Sequence, residues 1–494
     1  MNYVITSILS SSFGGRTKSL LRRTKNLCID GNLPFTIITT NYNPNYNRVY
    51  KSYYKEGYLP EDVKMINIYD YLAKRSYTVK KENLPVEEEG LQSFEVEKEK
   101  VYRFFDNGEY VLYKNFTHPN NGIKFIDEMD PANRMRKVRK EFNYNGLCHK
   151  KIIYKQGTTN KIEEIFYDEH GKAYLNKNYN GTSEEKLVRI YYFNENEILE
   201  FTSEKELFKY CFELMIENNS TVICDARLLD RPLIEMKADV KKVFVLHSSH
   251  LTGEDINELK PSYKYLINQY DNLDAIVTLT EQQKNDLVQI INDDRKIKVI
   301  PHSTPINTSF EINRENKFVY MGRLTPEKQI DHLIEAYNIA RRDIGDYTLD
   351  IYGDGNEKDN LSQLINRYNL QNKVTLKGRT NNPEKAFSSA KASFITSKYE
   401  GFGLVIMESL NNGCPVVAYD MKYGPSDLIE HEKNGLIVER NNVQELARAM
   451  VKVTKVNYNV DQLPNKFSDQ YFVDSWVNLL SGREKKGFFS SFFK

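Results

Sequence analysis

Two kinds of hydrophobic pattern alternate along the chain. The first begins with an apolar run at 4–9, a glycine loop Ser12-Phe13-Gly14-Gly15-Arg16, a helically spaced segment at 17–30 closed by Gly31, and a second apolar run at 35–40. Short continuous apolar runs joined by amphipathic segments predict parallel strands connected by helices. Between about 80 and 200 the period shortens to two: Val101-Tyr102-Arg103-Phe104-Phe105 and Tyr110-Val111-Leu112-Tyr113 flank Asp106-Asn107-Gly108. The pattern recurs at 164–167 before His170-Gly171 and at 189–193 before Asn194-Glu195-Asn196, predicting successive hairpins and an antiparallel meander.

The first rhythm resumes at Thr202. Ser203 to Glu206 and Thr280 to Gln283 each have capping-box spacing ahead of a helix, with apolar runs at 221–224, 242–247 and 274–279. After Val299-Ile300-Pro301 a fresh series follows, with strands predicted near 317–321, 347–352, 373–376, 392–396, 415–419 and 435–438. The meander therefore interrupts one α/β domain and a second α/β domain follows. The expected division is 1–78, 79–201 (insertion), 202–305, 306–468 and 469–494, with a hinge near 301–316 and a cleft at the strand ends.

Length and composition narrow the function classes. A chain of 494 residues needs more than one core. Its 69 basic and 68 acidic residues leave a formal charge of +1, so no global field points to nucleic acid and any anion site must be local. Cys28, Cys148, Cys211, Cys224 and Cys414 lie far apart without a CxxC pair, which favours reduced thiols and a cytoplasmic setting. Residues 1–9 carry no basic leader, and no apolar run approaches the ~18 residues of a membrane span; a soluble protein is expected. The histidines are scattered and no Asp-x-Asp pair follows a strand, so no metal is expected.

The chemistry concentrates late in the chain. Glu400-Gly401-Phe402-Gly403-Leu404-Val405-Ile406-Met407-Glu408 follows a strand and opens a helix, placing two carboxylates around a glycine turn. Uncovered amides at a helix N-terminus suit a phosphate, and carboxylates beside it suit sugar hydroxyls. Arg323 and Lys328, in Met321-Gly322-Arg323-Leu324-Thr325-Pro326-Glu327-Lys328, leave the first strand of the second series and aim at the same place. Two cations and a helix N-terminus suit a diphosphate; the alternative is a solvated edge. Tyr352-Gly353-Asp354-Gly355 lacks the third glycine of a dinucleotide fingerprint and reads as a turn.

These residues resemble the retaining GT-B glycosyltransferases of family 4. Glu400 and Glu408 match that family's paired glutamates, Ser397 to Leu404 and Gly413-Cys414-Pro415-Val416-Val417-Ala418 match their surroundings, and Arg323 and Lys328 match its cations. The resemblance implies two Rossmann-like domains facing a cleft, here with an antiparallel β-rich insertion in the first, and metal-independent transfer from a nucleotide sugar. It implies that Arg323 and Lys328 hold the diphosphate, that amides of Phe402, Gly403 and Leu404 meet the phosphate and donor sugar, that Glu400 binds sugar hydroxyls and Glu408 the ribose. Lys377-Gly378-Arg379-Thr380 corresponds to the segment receiving the base, Gly14 and Gly15 to the first-domain glycine loop, and His247 to a histidine beside the donor sugar. Apart from the family, His247 reads as a buried, satisfied histidine and Gly14-Gly15 as an ordinary tight turn.

More narrowly, the insertion and Asp420-Met421-Lys422-Tyr423-Gly424-Pro425-Ser426-Asp427 resemble bacterial enzymes that place N-acetylglucosamine on cell-surface polymers. The chain most resembles the serine–aspartate-repeat adhesin branch, which implies UDP-GlcNAc as donor, no further cofactor, serine hydroxyls as acceptor and self-association through the insertion. The insertion's exposed tyrosines then form an interface, or else pack the meander's own face. The alternatives are a wall teichoic acid N-acetylglucosaminyltransferase and a non-catalytic, adhesin-binding co-chaperone. The tail at 482–494, basic with four phenylalanines, either touches an anionic membrane or docks on the protein.

Overall fold

The computed structural model describes residues 1–11, 13–81, 84–117, 122–305, 314–460 and 463–482. The basic aromatic tail beyond Gly482 and half of the expected hinge, residues 306–313, lie outside them. The chain forms two compact units: Met1–Phe13 with Pro34–Lys242, and Gly14–Leu33 with Val243–Lys494.

In the first unit, Asn2–Thr6 pairs in parallel with Phe35–Thr39 and with Ser220–Cys224, and Phe35–Thr39 pairs with Lys64–Asn67. Every residue of Phe35–Thr39 and of Ser220–Cys224 is buried, as expected of central parallel strands covered on both faces. The insertion is a ten-stranded antiparallel sheet in which each strand lies beside its sequence neighbour, from Gln92–Glu97 to Ile198–Phe201. Its first strong turn is legible in the backbone: Asn107 and Gly108 both have positive φ, 46° and 86°, the requirement of a tight two-residue hairpin. The tyrosines serve packing. Tyr174 and Tyr192 are buried, and among the insertion's described tyrosines only Tyr144 is exposed, with the Arg48 guanidinium 3.9 Å above its ring.

A polar cluster seats the insertion on the α/β part of this unit. Arg75 donates to Asp70 at 2.7 Å, Tyr77 donates to the other Asp70 oxygen at 2.5 Å, and Glu169 accepts from the Ser76 and Tyr77 amides at 2.7 and 2.6 Å. Lys177, from the meander, donates to Tyr69 and to Glu204 at 2.9 and 2.5 Å. The box at Ser203 forms with a shift of one residue, since Glu206 returns its carboxylate to the amide and hydroxyl of Thr202.

The second unit contains a six-stranded parallel sheet. Its spatial order is Val374–Gly378, Thr348–Tyr352, Lys317–Met321, Ala392–Ile395, Val416–Tyr419, Gly435–Val438. The chain starts in the middle, runs to one edge and returns to build the other. The order therefore reverses between Lys317–Met321 and Ala392–Ile395, where α/β sheets open a crevice beyond their strand C-termini. The same unit holds the helix Gly15–Ile29 and a short parallel set in which Val243, Phe244 and Val245 pair with Ala275–Thr278, itself paired with Ile297–Val299.

The C-terminal helix Asp469–Ser481 packs along Gly15–Ile29. Arg22 Nη2 donates to both oxygens of Asp469 at 2.8 Å, Asn26 and Ser303 donate to the same carboxylate at 3.1 and 2.6 Å, and the Arg23 guanidinium lies 4.9 Å from the Trp476 ring. An acid in the first turn of that helix also complements its dipole.

Candidate active site

At the reversal point, two loops leave adjacent strands and are bonded to each other. One carries Arg323 and ends in the single turn Pro326–Lys328; the other runs from Ser397 to Gly403 and opens the helix Leu404–Asn411. Thr396 Oγ1 donates to the Lys328 carbonyl and the Lys398 amide to the Glu327 carbonyl, both at 2.8 Å. Lys328 Nζ lies 2.5 Å from Glu400 Oε1, which also accepts from Ser397 Oγ at 2.8 Å. Arg323 stands more open, its side chain 69% exposed and 3.1 Å from Glu327. Both cations are thus paired with carboxylates.

The glycines are there for closeness as much as for turning. A Cβ on Gly401 would stand 2.1 Å from the His247 carbonyl oxygen, and one on Gly424 would stand 1.8 Å from the Phe402 oxygen. Gly403 has φ 85° and caps the helix, a conformation that costs other residues. The result is a cavity of about 680 Å³ lined by Gly14, Gly15, His247, Arg323, Lys328, Glu400, Gly401, Phe402, Gly403 and Leu404. That volume is in the range of small-molecule sites. His247 stacks on His302 at 5.9 Å, and His302 meets the Phe402 ring edge-on at 5.2 Å.

Glu408 does not share the cavity that Glu400 lines. It reaches Lys18 Nζ at 2.5 Å and lines an adjoining space of about 470 Å³ with Pro383, Glu384 and Phe387. Leu404, Ser19 and His302 border both spaces. The segment Lys377 to Thr380 lines neither. Lys377 and Arg379 lie 3.5 and 3.8 Å from Asp350 and Asp354, Gly378 accepts from the Gly353 amide at 2.8 Å, and Thr380 Oγ1 caps the Asn382 amide at 3.0 Å. Pro383, Glu384 and Phe387, just after that segment, line the second space instead. Gly353 is a packing turn: a Cβ there would meet the Gly322 oxygen at 1.8 Å.

Sequence reasoning missed Lys18 and His302. Lys18 lies three residues after Gly15, one turn along the same helix face, a spacing that was available to notice. His302, beside Pro301, carries no local signal. Thr280 caps the helix by accepting from the Gln283 main-chain amide at 3.1 Å, but the Gln283 side chain leaves the box and donates to the Ser248 carbonyl at 3.0 Å. Among the described residues no group of three metal-ligating side chains gathers, and no helix is long and apolar enough to cross a membrane.

A nucleotide-sized cleft between strand ends, floored by a glycine-capped helix and flanked by paired cations and glutamates, defines a glycosyltransferase of the GT-B fold. Residues 303–470 match the family described as Glycosyl transferases group 1. The chain is 28% identical to the poly(ribitol-phosphate) alpha-N-acetylglucosaminyltransferase of Staphylococcus aureus (strain COL), over 97% of this chain and 99% of that one. It is 29% identical to the poly(glycerol-phosphate) alpha-glucosyltransferase of Bacillus subtilis (strain 168), over 97% of this chain and 74% of that one. The GtfA subunit of the UDP-N-acetylglucosamine–peptide N-acetylglucosaminyltransferase of Streptococcus agalactiae is 26% identical over 63% of each. A crystal structure of an S. aureus TarM mutant with fondaparinux, alpha-GlcNAc-glycerol and UDP superposes with a TM-score of 0.85 at 26% identity, covering 97% of this chain and 99% of that one.

Proposed function

We propose that this chain transfers N-acetylglucosamine from UDP-GlcNAc, with retention of configuration, to hydroxyls of a polyol-phosphate polymer of the poly(ribitol phosphate) kind. The carrying observation is the convergence of Arg323, Lys328, Glu400 and the amides of residues 402–404 on one cavity. The diphosphate takes Lys328 and Arg323 from their carboxylates, and Glu400, released, accepts from the donor-sugar hydroxyls. The two cations and the helix N-terminus stabilise the charge that grows on the leaving diphosphate, which removes the proton of the hydroxyl arriving on the same face of the sugar. His247 lies beside that sugar. Glu408, steadied by Lys18, binds the ribose in the adjoining space, with Pro383, Glu384 and Phe387 toward the base; Lys377, Gly378, Arg379 and Thr380 precede them in the chain.

The acceptor assignment moves from the adhesin serine expected from the sequence to a polyol phosphate. Relatives named for such polymers match 97% of the chain, whereas peptide-modifying relatives match 63–71%. The test is intact-mass spectrometry of polyribitol phosphate, polyglycerol phosphate and a serine–aspartate peptide, each with UDP-GlcNAc or UDP-glucose. An N-acetylhexosamine added to polyribitol phosphate is expected. Modification of the peptide alone would restore the adhesin reading, and a chain inert toward both donors would favour the co-chaperone.

A further inference from the structure

Glu400 is held at its side chain by Lys328 and Ser397, and its main chain is held from elsewhere. Its amide donates to the Lys422 carbonyl and its carbonyl accepts from the Tyr423 amide, both at 3.0 Å. The side chains of those two residues converge on a single oxygen of Asp286: Lys422 Nζ at 2.8 Å and Tyr423 Oη at 2.7 Å. Asp286 belongs to the helix Glu281–Ile291 and lines neither cavity. Three residues earlier on the same helix, buried Gln283 donates to the carbonyl of Ser248, the neighbour of His247. One helix face therefore grips both segments that enclose the loop at Gly401, where nothing larger than glycine fits against His247.

We propose that Asp286 is a positioning residue: acting through Lys422 and Tyr423, and with Gln283 on the preceding turn, it sets the gap between His247 and Glu400 across which the donor sugar lies. A carboxylate receiving two donors on one oxygen in a site 12% exposed is a stiff link, because water competes poorly for it. Tyr423 is wholly buried, with the His250 ring stacked 5.8 Å away at 6°, so its hydroxyl has little freedom to find another partner. Loss of the link lets residues 422–423 drift and carries the Glu400 main chain with them. Lys328 and the amides of 402–404 keep their own supports, so the diphosphate grip is retained. Displacement of a reacting group by about 1 Å is enough to cost on the order of 100-fold in turnover.

This inference rests on the donor-site reading, and two readouts separate the failure of one from that of the other. Calorimetric UDP binding and donor turnover by the wild-type chain test the reading itself. For the inference, Asp286→Ala and Asp286→Asn are compared in kcat, KM for UDP-GlcNAc, UDP affinity and the crystal structure. We expect kcat to fall at least about tenfold in Asp286→Ala, with UDP affinity and KM within about threefold of wild type. Tyr423→Phe, which keeps the ring packing, falls by less, and adding Lys422→Met to Asp286→Ala brings no further loss. The crystal structure of the folded variant shows Glu400 displaced from Lys328. Unchanged kcat, or a Glu400–Lys328 pair still at its present distance in Asp286→Ala, overturns the proposal; so does UDP affinity falling in step with kcat. If Asp286→Ala does not fold, Asp286→Asn and Tyr423→Phe decide by the same criteria.

Discussion

Two carboxylates in this molecule are bonded in the same way and serve opposite ends. In the first unit Asp70 accepts from Arg75 and Tyr77; in the second Glu400 accepts from Lys328 and Ser397. The difference is access. The Arg75 and Asp70 side chains are 2% and 11% exposed and enclosed by Tyr42 and Tyr174, whereas Lys328 and Glu400 are 15% and 21% exposed along the wall of a cavity. Burial, aided by the nearby Glu169 carboxylate, pushes the Asp70 carboxyl above its ordinary range in spite of the guanidinium beside it. A pair sealed in this manner cannot change partners, and its role is to join the insertion to its unit. The pair at the cavity wall can exchange, and a binding site needs that.

The most severe test of this contrast is at the sealed pair. Arg75→Ala strands a buried carboxylate and is expected to cost about 3–5 kcal/mol of stability, measured by denaturant unfolding, with UDP affinity of the folded fraction unchanged. An Arg75→Ala protein as stable as wild type would erase the distinction.

His250 sharpens the contrast within the second unit. Its ring is fully buried, with neither nitrogen hydrogen-bonded, and faces Tyr423, Tyr263, Asp286, Lys422 and Lys260. Burial, aided by Lys422 and Lys260 and opposed by Asp286, lowers its pKa from 6.5 to about 4. The unfolded chain takes up this proton first, so stability is complete above pH 6.5 and is lost as the pH falls toward 4, by about 3 kcal/mol at 1.4 kcal/mol per unit. Thermal melts of wild type and His250→Leu should diverge in slope across that window; parallel slopes would remove His250 from the acid sensitivity.

At the exchangeable pair the expectation is reversed from Arg75. Lys328→Ala should lower turnover by about 100-fold or more, the scale of one lost transition-state contact, with little change in melting temperature. The smallest effect is expected at Lys18, whose side chain is 55% exposed. Lys18→Ala should raise KM for UDP-GlcNAc by at most about fivefold and leave kcat alone, because an exposed pair contributes no more than about 1 kcal/mol.

The α/β rhythm and the meander were legible because buried parallel strands and half-buried hairpins leave periods that survive any tertiary detail. The helix Tyr46–Lys55 escaped. Its buried face is Tyr46, Val49 and Tyr53, and tyrosines whose hydroxyls bond back to Asn41 and Ser10 disguise an apolar stripe as a polar one. The Glu400 loop was legible for a related reason: its glycines, its neighbouring hydroxyl and its helix start are contiguous. Lys18 and Glu408 are separated by 390 positions, and Asp286 and Lys422 by 136. Pairs so remote are matched by the fold, and nothing in either local segment announces the partner.

The central claim is that Lys328, Arg323 and the amides heading Leu404–Asn411 jointly hold a pyrophosphate. A co-crystal of the chain with UDP tests it directly. The account predicts the β-phosphate within hydrogen-bond distance of Lys328 and of the amides of residues 402–404, with Glu400 turned away from the lysine. A nucleotide bound elsewhere, with the Lys328–Glu400 pair intact, would contradict it.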